Sequence, residues 1–145
     1  MDKVENTGEL EWVIQDSISP EDARRLDEVI EERNLEQTGT RRAILVILVR
    51  NSDGEVVAGA LGTVAWGLLY IKTLSVTAPL QGQGYGAKLL AAIEDEAKRR
   101  GVRVAHLHTM GFQAPAFYEK YGYSVFQVLE GTSDEHKRYF LKKEL

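Results

Sequence analysis

The sequence predicts an α/β (α+β) fold, a mixed central sheet flanked by helices, with elements in the order β-α-β-β-β-α-β-α-β-β. Three observations carry that reading. Short runs rich in Leu, Ile, Val and Thr, bounded by turn residues, mark the strands. Two longer stretches, Ala23 to Ile30 and Leu89 to Ala97, repeat apolar residues at helical spacing. The chain of 145 residues has no internal repeat or linker, so residues 1–145 are expected to form a single domain around one core.

The elements follow in order. Residues 1–10 carry Asp2, Glu5 and Glu9 without an apolar stretch and are expected to be a flexible or loosely attached N-terminus. That composition matches neither a signal peptide nor a membrane span, which makes a cytoplasmic location the default expectation. Trp12 to Asp16 reads as a short first strand. Ser19-Pro20-Glu21-Asp22 has the marks of a helix start: a capping hydroxyl, proline in the first turn, and acids against the positive end of the dipole. Ala23, Leu26, Val29 and Ile30 give that helix an apolar face, and the polar stretch Glu36 to Arg42 leads out of it.

Ala43 to Val49 and Glu55 to Val64 flank Asn51-Ser52-Asp53-Gly54, where the Asp-Gly pair favours a hairpin. Ala65-Trp66-Gly67 turns the chain into a strand from Leu68 to Val76. A helix is expected over Ala87 to Arg100, with Leu89, Leu90, Ile93 and Ala97 inward and Lys88, Glu94, Asp95 and Lys98 left for solvent. Gly101 suits its C-terminal cap, and Lys98-Arg99-Arg100 places cations where the dipole favours them. Val102 to Met110 reads as a strand, Ala114 to Tyr121 as a short helix, and Tyr123 to Leu129 and His136 to Lys143 as the closing strands.

The run Gln81-Gly82-Gln83-Gly84-Tyr85-Gly86 sits where the strand ending at Val76 gives way to the second helix. Alternate glycines there clear side chains from the free amides of the first turn, whose dipole adds partial positive charge, so the loop suits a phosphate. A Walker loop would require Gly-Lys-Ser/Thr, but Lys88 stands between Ala87 and Leu89. Gly82, Gly84 and Ala87 satisfy a dinucleotide fingerprint, which also expects an acid near the end of the next strand. No Asp or Glu occurs between Glu96 and Glu119.

The third reading is a family resemblance. Val76 to Leu90, with Gln81, Gly84 and Gly86 filling R/Q-x-x-G-x-G/A, resembles the acetyl-CoA-binding motif of the GNAT superfamily of N-acetyltransferases. Ala114-Pro115-Ala116-Phe117-Tyr118-Glu119-Lys120-Tyr121-Gly122-Tyr123 resembles that superfamily's A-x-x-F-Y-x-x-x-G-F/Y segment, one helix and one strand downstream. The resemblance covers Trp12 to Leu145, and Phe112 to Pro115 and the ending His136 to Leu145 are similar to small stand-alone bacterial members.

This resemblance implies a GNAT-like, mostly antiparallel sheet and transfer of an acetyl group from acetyl-CoA to an amine, by direct attack in a ternary complex. The lack of cysteine is consistent with that, because it excludes a thiol nucleophile along with disulfides and Cys-based zinc sites. The backbone amides from Gly82 through Gln83, Gly84, Tyr85, Gly86 and Ala87 to Lys88, following Gln81, would anchor the cofactor pyrophosphate. A backbone N–H in the bulged end of the strand, Leu74 to Val76, would polarise the thioester carbonyl, and Tyr118 would protonate the departing thiolate. The plainer reading of Tyr118 is as one member of an aromatic core cluster with Phe117, Tyr121 and Tyr123.

One departure from the pattern stands out. Many superfamily members carry a Glu on the strand before the glycine loop, where this chain has Tyr70 and Lys72. A water relay ending on backbone carbonyls, His108 or Glu119 remains open for the base, as does use of the neutral fraction of an amine with pKa near ~10. His106 and His108 share a strand face with no third ligand in sight, so no metal is expected. His136 either lines the acceptor pocket or faces solvent. The net charge of −4 gives nucleic acid no support and is compatible with cationic amines. The expected acceptor is a small-molecule amine, with a protein amine as second choice, and a homodimer is compatible with the reading. Two alternatives are an acyl-CoA-binding sensor without catalysis and a NAD-binding module.

Overall fold

The structure, a computed structural model, describes residues 2–145, with side chains from residue 8 onward. It divides into two compact units, residues 1–41 and 42–145. In the first, β1 (Asp2–Thr7) and β2 (Leu10–Ile14) form an antiparallel hairpin, and α1 (Pro20–Thr38) follows. The strand β1 differs from the loose terminus that its polar composition suggests. Ser19 caps α1 as expected, its Oγ accepting the Asp22 N–H at 3.1 Å. The helix continues through Glu36 to Thr38 and closes on Gly39, whose φ of 72° suits glycine and whose N–H reaches Leu35 O at 2.8 Å.

The second unit contains β3 (Ala43–Arg50), β4 (Val56–Ala65), β5 (Leu68–Val76), α2 (Tyr85–Arg99), β6 (Val104–Met110), α3 (Pro115–Lys120), β7 (Ser124–Leu129) and β8 (Arg138–Glu144). Its six strands form one sheet in the order β3-β4-β5-β6-β8-β7. Only the β5–β6 neighbours run parallel; the others are antiparallel. The Asp53-Gly54 turn forms as the sequence predicts, with Asn51 Oδ1 accepting the N–H groups of Asp53 and Glu55, both at 3.0 Å.

One face of this sheet is covered by α2. Leu89, Leu90, Ile93 and Ala97 pack among Leu45, Ala58, Ala60, Leu69, Ile71, Ala105, Leu107 and Leu141. Each fully buried Leu or Ile contributes roughly 1.5–3 kcal/mol, so this stripe fixes the helix against the strands. Glu94 corrects the sequence reading: it is buried rather than left for solvent. Its carboxylate accepts the Tyr123 hydroxyl at 2.9 Å and the Lys143 ammonium at 2.6 Å. A buried carboxylate persists only with such partners. The group therefore ties α2 to β8 and to the start of β7, and it fixes the helix whose N-terminus faces the site.

Candidate active site

The site begins where two strands part. Pairing of β5 with β6 is confined to Leu68–Val104, Leu69–Ala105 and Tyr70–His106. Just beyond it β5 bulges: Ile71 stands opposite Gly62 and Thr73 opposite Leu61, leaving Lys72 as the extra residue. Gly62 permits this close approach, because a Cβ there would meet Tyr70 O at 2.5 Å. The bulge lies earlier than the expected Leu74 to Val76, which stay in register with Ala60 and Ala58 of β4. The open edge is there all the same. The Val76 carbonyl accepts the Gln81 Nε2 at 3.0 Å, whereas the Thr77 N–H bonds to Val57 O on β4. Peptide groups alternate along a strand, so Val76 and, two residues back, Leu74 turn their polar groups away from β4 toward the gap.

The gap is a cavity of about 430 Å³, walled by Lys72, Thr73, Leu74 and Val76 of β5, His108 and Thr109 of β6, and Phe117 and Tyr118 of α3. A second cavity of about 320 Å³ is lined by Leu80 to Gly82, Gly84 to Ala87 and Tyr121. Both include Val76, Gly86 and Phe117 in their walls, so the two spaces adjoin.

The glycine loop supplies the polar end. Gly82 and Gly84 adopt φ of 76° and 84°, and a Cβ on either would point into open space. Gln81 and Gln83, both exposed, fold back onto backbone carbonyls, the latter donating to Pro79 O at 3.0 Å, so their side chains brace the loop. Gly86 serves packing, since a Cβ there would sit 3.2 Å from the Phe117 ring. The first helical bond runs from Lys88 N–H to Gly84 O at 3.2 Å, which removes the Lys88 amide from the expected anchor. Among the described residues nothing takes the N–H groups of Tyr85, Gly86 and Ala87, and no acid in the first turn of α2 offsets its dipole. These amides can hold an anion.

Tyr118 lies in the wall of the larger cavity, while Tyr123 is core and Tyr121 faces the smaller cavity. Its ring packs edge-on against Phe117 and Tyr123 at 5.1 and 5.8 Å between centroids. Burial raises the Tyr118 phenol above its ordinary pKa, which keeps the proton on the oxygen. The turn into α3 is pinned by Gln113, whose Oε1 accepts the Met110 N–H at 3.1 Å and the Thr109 hydroxyl at 3.4 Å.

Of the three base candidates named from sequence, His108 lines the cavity and the exposed Glu119 does not. His108 Nε2 lies 2.9 Å from the Tyr70 hydroxyl, and Tyr70 stacks on His106 at 5.3 Å. Burial, and secondarily the neighbouring His108 charge, lower the pKa of His106. No group of three His, Cys, Asp or Glu suited to a metal occurs among the described residues. His136 is exposed, held by the Thr132 and Ser133 hydroxyls at 2.9 Å each, and lines neither cavity. Sequence reasoning missed Phe117 as the shared wall and Gln113 as the pin; only their place beside Tyr118 marked them.

Comparison with known proteins adds family information. Residues 8–123 match the family described as Acetyltransferase (GNAT) family. The chain is 33% identical over 135 residues to acetyltransferase Atu2258 of Agrobacterium fabrum, covering 92% of this chain and 98% of that relative. It is also 33% identical over 93 residues to the blasticidin-S acetyltransferase of Streptomyces morookaense, covering 63% of this chain and 68% of the relative. A crystal structure from Agrobacterium tumefaciens, described as a candidate acetyltransferase, superposes with a TM-score of 0.81 at 32% identity. That match covers 94% of this chain and all of the other.

Proposed function

The chain belongs to the GNAT family of acetyltransferases, and from that premise we propose that it transfers an acetyl group from acetyl-CoA to an amine. The observation that carries this reading is the continuity of the two cavities, from the free amides at the start of α2 to the Tyr118 phenol between parted strands. Residues 1–145 are read as one acetyltransferase domain.

The residues fit the cofactor chemically. The N–H groups of Tyr85, Gly86 and Ala87, with the loop amides of Gly82 to Gly84, would hold the pyrophosphate, for which glycines at 82 and 84 leave open space. Bound acetyl-CoA supplies an activated acyl group as a thioester. The edge of β5 opened by the split would take its pantetheine arm. The Leu74 N–H, turned away from β4 toward the gap, would stabilise the oxyanion developing on the thioester carbonyl. A fixed amide in a partly enclosed cleft is already oriented, so little reorganisation is spent at the moment of reaction. Tyr118, its phenol kept protonated in the cavity wall, would be the group that gives a proton to the departing thiolate. With no cysteine in the chain, acyl transfer does not pass through an enzyme thioester.

The acceptor is a small-molecule amine. Support comes from the blasticidin-S acetyltransferase among the relatives and from a cleft of drug-sized volume. The test is release of CoA from acetyl-CoA over an amine panel that includes blasticidin S, amino acids and peptide N-termini. Amine-dependent release with an acetylated small amine in the mass spectrum is expected. Binding of acetyl-CoA without transfer to any amine would instead make the protein a cofactor sensor, and transfer confined to peptides would overturn the acceptor class.

A further inference from the structure

We propose that His108 is the general base that deprotonates the incoming amine, held in the working tautomer by Tyr70; this rests on the acetyl-transfer reading above. The strand preceding the glycine loop has no carboxylate, and none occurs between Glu55 and Glu94. A base must then come from another element or from solvent. Across the split, β6 presents His108 into the same cavity that holds Tyr118 and the Leu74 edge. It is the one imidazole in that wall, since His106 points along the same sheet face two residues farther from the gap.

The proposal places the ring proton on Nε2. Nε2 of His108 lies 2.9 Å from the Tyr70 hydroxyl, and Nδ1 has no partner among the described residues. With Nε2–H donating to the phenolic oxygen, Nδ1 keeps a lone pair. The ring is further restrained by Phe140 at 5.5 Å and Tyr70 at 6.0 Å between centroids. Other charged or titratable groups facing it are Lys72 on β5, His106 on β6, and Arg138, Lys142 and the more distant Glu144 on β8, with Tyr118 across the cavity.

The proton steps balance. An N–H bond of the alkylammonium breaks, its electron pair stays on nitrogen, and a new N–H bond forms at Nδ1. The freed amine attacks the thioester carbon. When the C–S bond breaks, Tyr118 gives a proton to sulfur, and the second proton leaving nitrogen replaces it on the phenolate. The imidazolium returns its proton to solvent, so one proton is released per acetyl group transferred. Tyr70 touches no reacting atom and is a positioning residue.

Two measurements on the whole protein test this. Long-range proton–nitrogen NMR of the imidazoles, with acetyl-CoA added and no acceptor needed, should show His108 as the Nε2–H tautomer in wild type and lose that preference in Tyr70→Phe. An Nδ1–H tautomer in wild type would overturn the assignment. Using the panel amine turned over fastest, His108→Gln should lower kcat/KM by ~10²–10³-fold, within the usual range for acid–base groups. It should also abolish the acid limb of the pH profile and leave acetyl-CoA affinity unchanged. Tyr70→Phe should move that limb, while His106→Gln should keep it. Full turnover with an unaltered limb in His108→Gln would sink the base assignment but leave the acetyl-transfer reading standing. Absence of acetyl-CoA binding by the wild type would sink both.

Discussion

At the scale of single residues, the aromatic cluster around α3 separates into distinct roles. Tyr118 borders the larger cavity, Tyr121 the smaller one beside the glycine loop, and Tyr123 is buried with its hydroxyl on Glu94. Tyr118→Phe keeps the ring and its packing, so kcat should fall by ~10²–10⁴-fold with acetyl-CoA affinity unchanged. Tyr121→Phe should behave as wild type. Tyr123→Phe should keep kcat but lose about 1–2 kcal/mol of stability, because a buried carboxylate is deprived of a donor. Steady-state kinetics and thermal melts of the three variants check this; full turnover in Tyr118→Phe would show that the thiolate takes its proton from water. The motif singled out Tyr118 as the acid, and the structure places its ring in a cavity wall; the motif could not separate the other rings, because their places depend on distant packing partners.

At the scale of elements, the sequence was most legible where local chemistry decides the outcome. Ser19 and Gly39 bound α1, Asp53-Gly54 turns the β3–β4 hairpin, and the stripe Leu89 to Ala97 buries as its spacing requires. It was least legible where distant partners decide. Glu94 reads as solvent-facing until Tyr123 and Lys143 arrive from elements 29 and 49 residues away. The bulge at Lys72 depends on Gly62 in the neighbouring strand, and the strand Asp2–Thr7 is defined by its pairing with β2. Glu94→Ala leaves the Tyr123 hydroxyl and the Lys143 ammonium without their acceptor. We expect a loss of about 3 kcal/mol, or roughly 6–12 °C in Tm for a chain of this size. Glu94→Gln, which still accepts from Tyr123, should lose less; equal melts for both variants and wild type would mean the cluster contributes nothing.

For the molecule as a whole, the polar groups within the second unit confine stability to a middle pH range. Burial and the Glu94 carboxylate raise the Tyr123 phenol, and burial raises Tyr118. Phenols raised in the folded state stabilise fully below about pH 10, their unfolded value, and that contribution is lost as pH climbs above it. His106 works in the opposite sense. Its folded pKa is lowered, so the unfolded chain binds more protons, and the contribution present above about pH 6.5 is lost as pH falls. Melts across pH should therefore decline on both flanks. Tyr123→Phe should flatten the alkaline flank and His106→Gln the acid one. Central to the proposed function is an acetyl-CoA site formed jointly by the glycine loop and the parted strands. Its most direct test is calorimetric titration of acetyl-CoA, with NAD as contrast, into wild type and a folded Gly84→Val. Gly84 combines a φ of 84° with open space above it, so valine both strains the turn and fills the volume intended for the pyrophosphate. Wild type should bind acetyl-CoA and not NAD, and the variant should bind acetyl-CoA at least a hundredfold more weakly (~2.7 kcal/mol). Equal acetyl-CoA affinity in the two proteins, or binding of NAD alone, would contradict it.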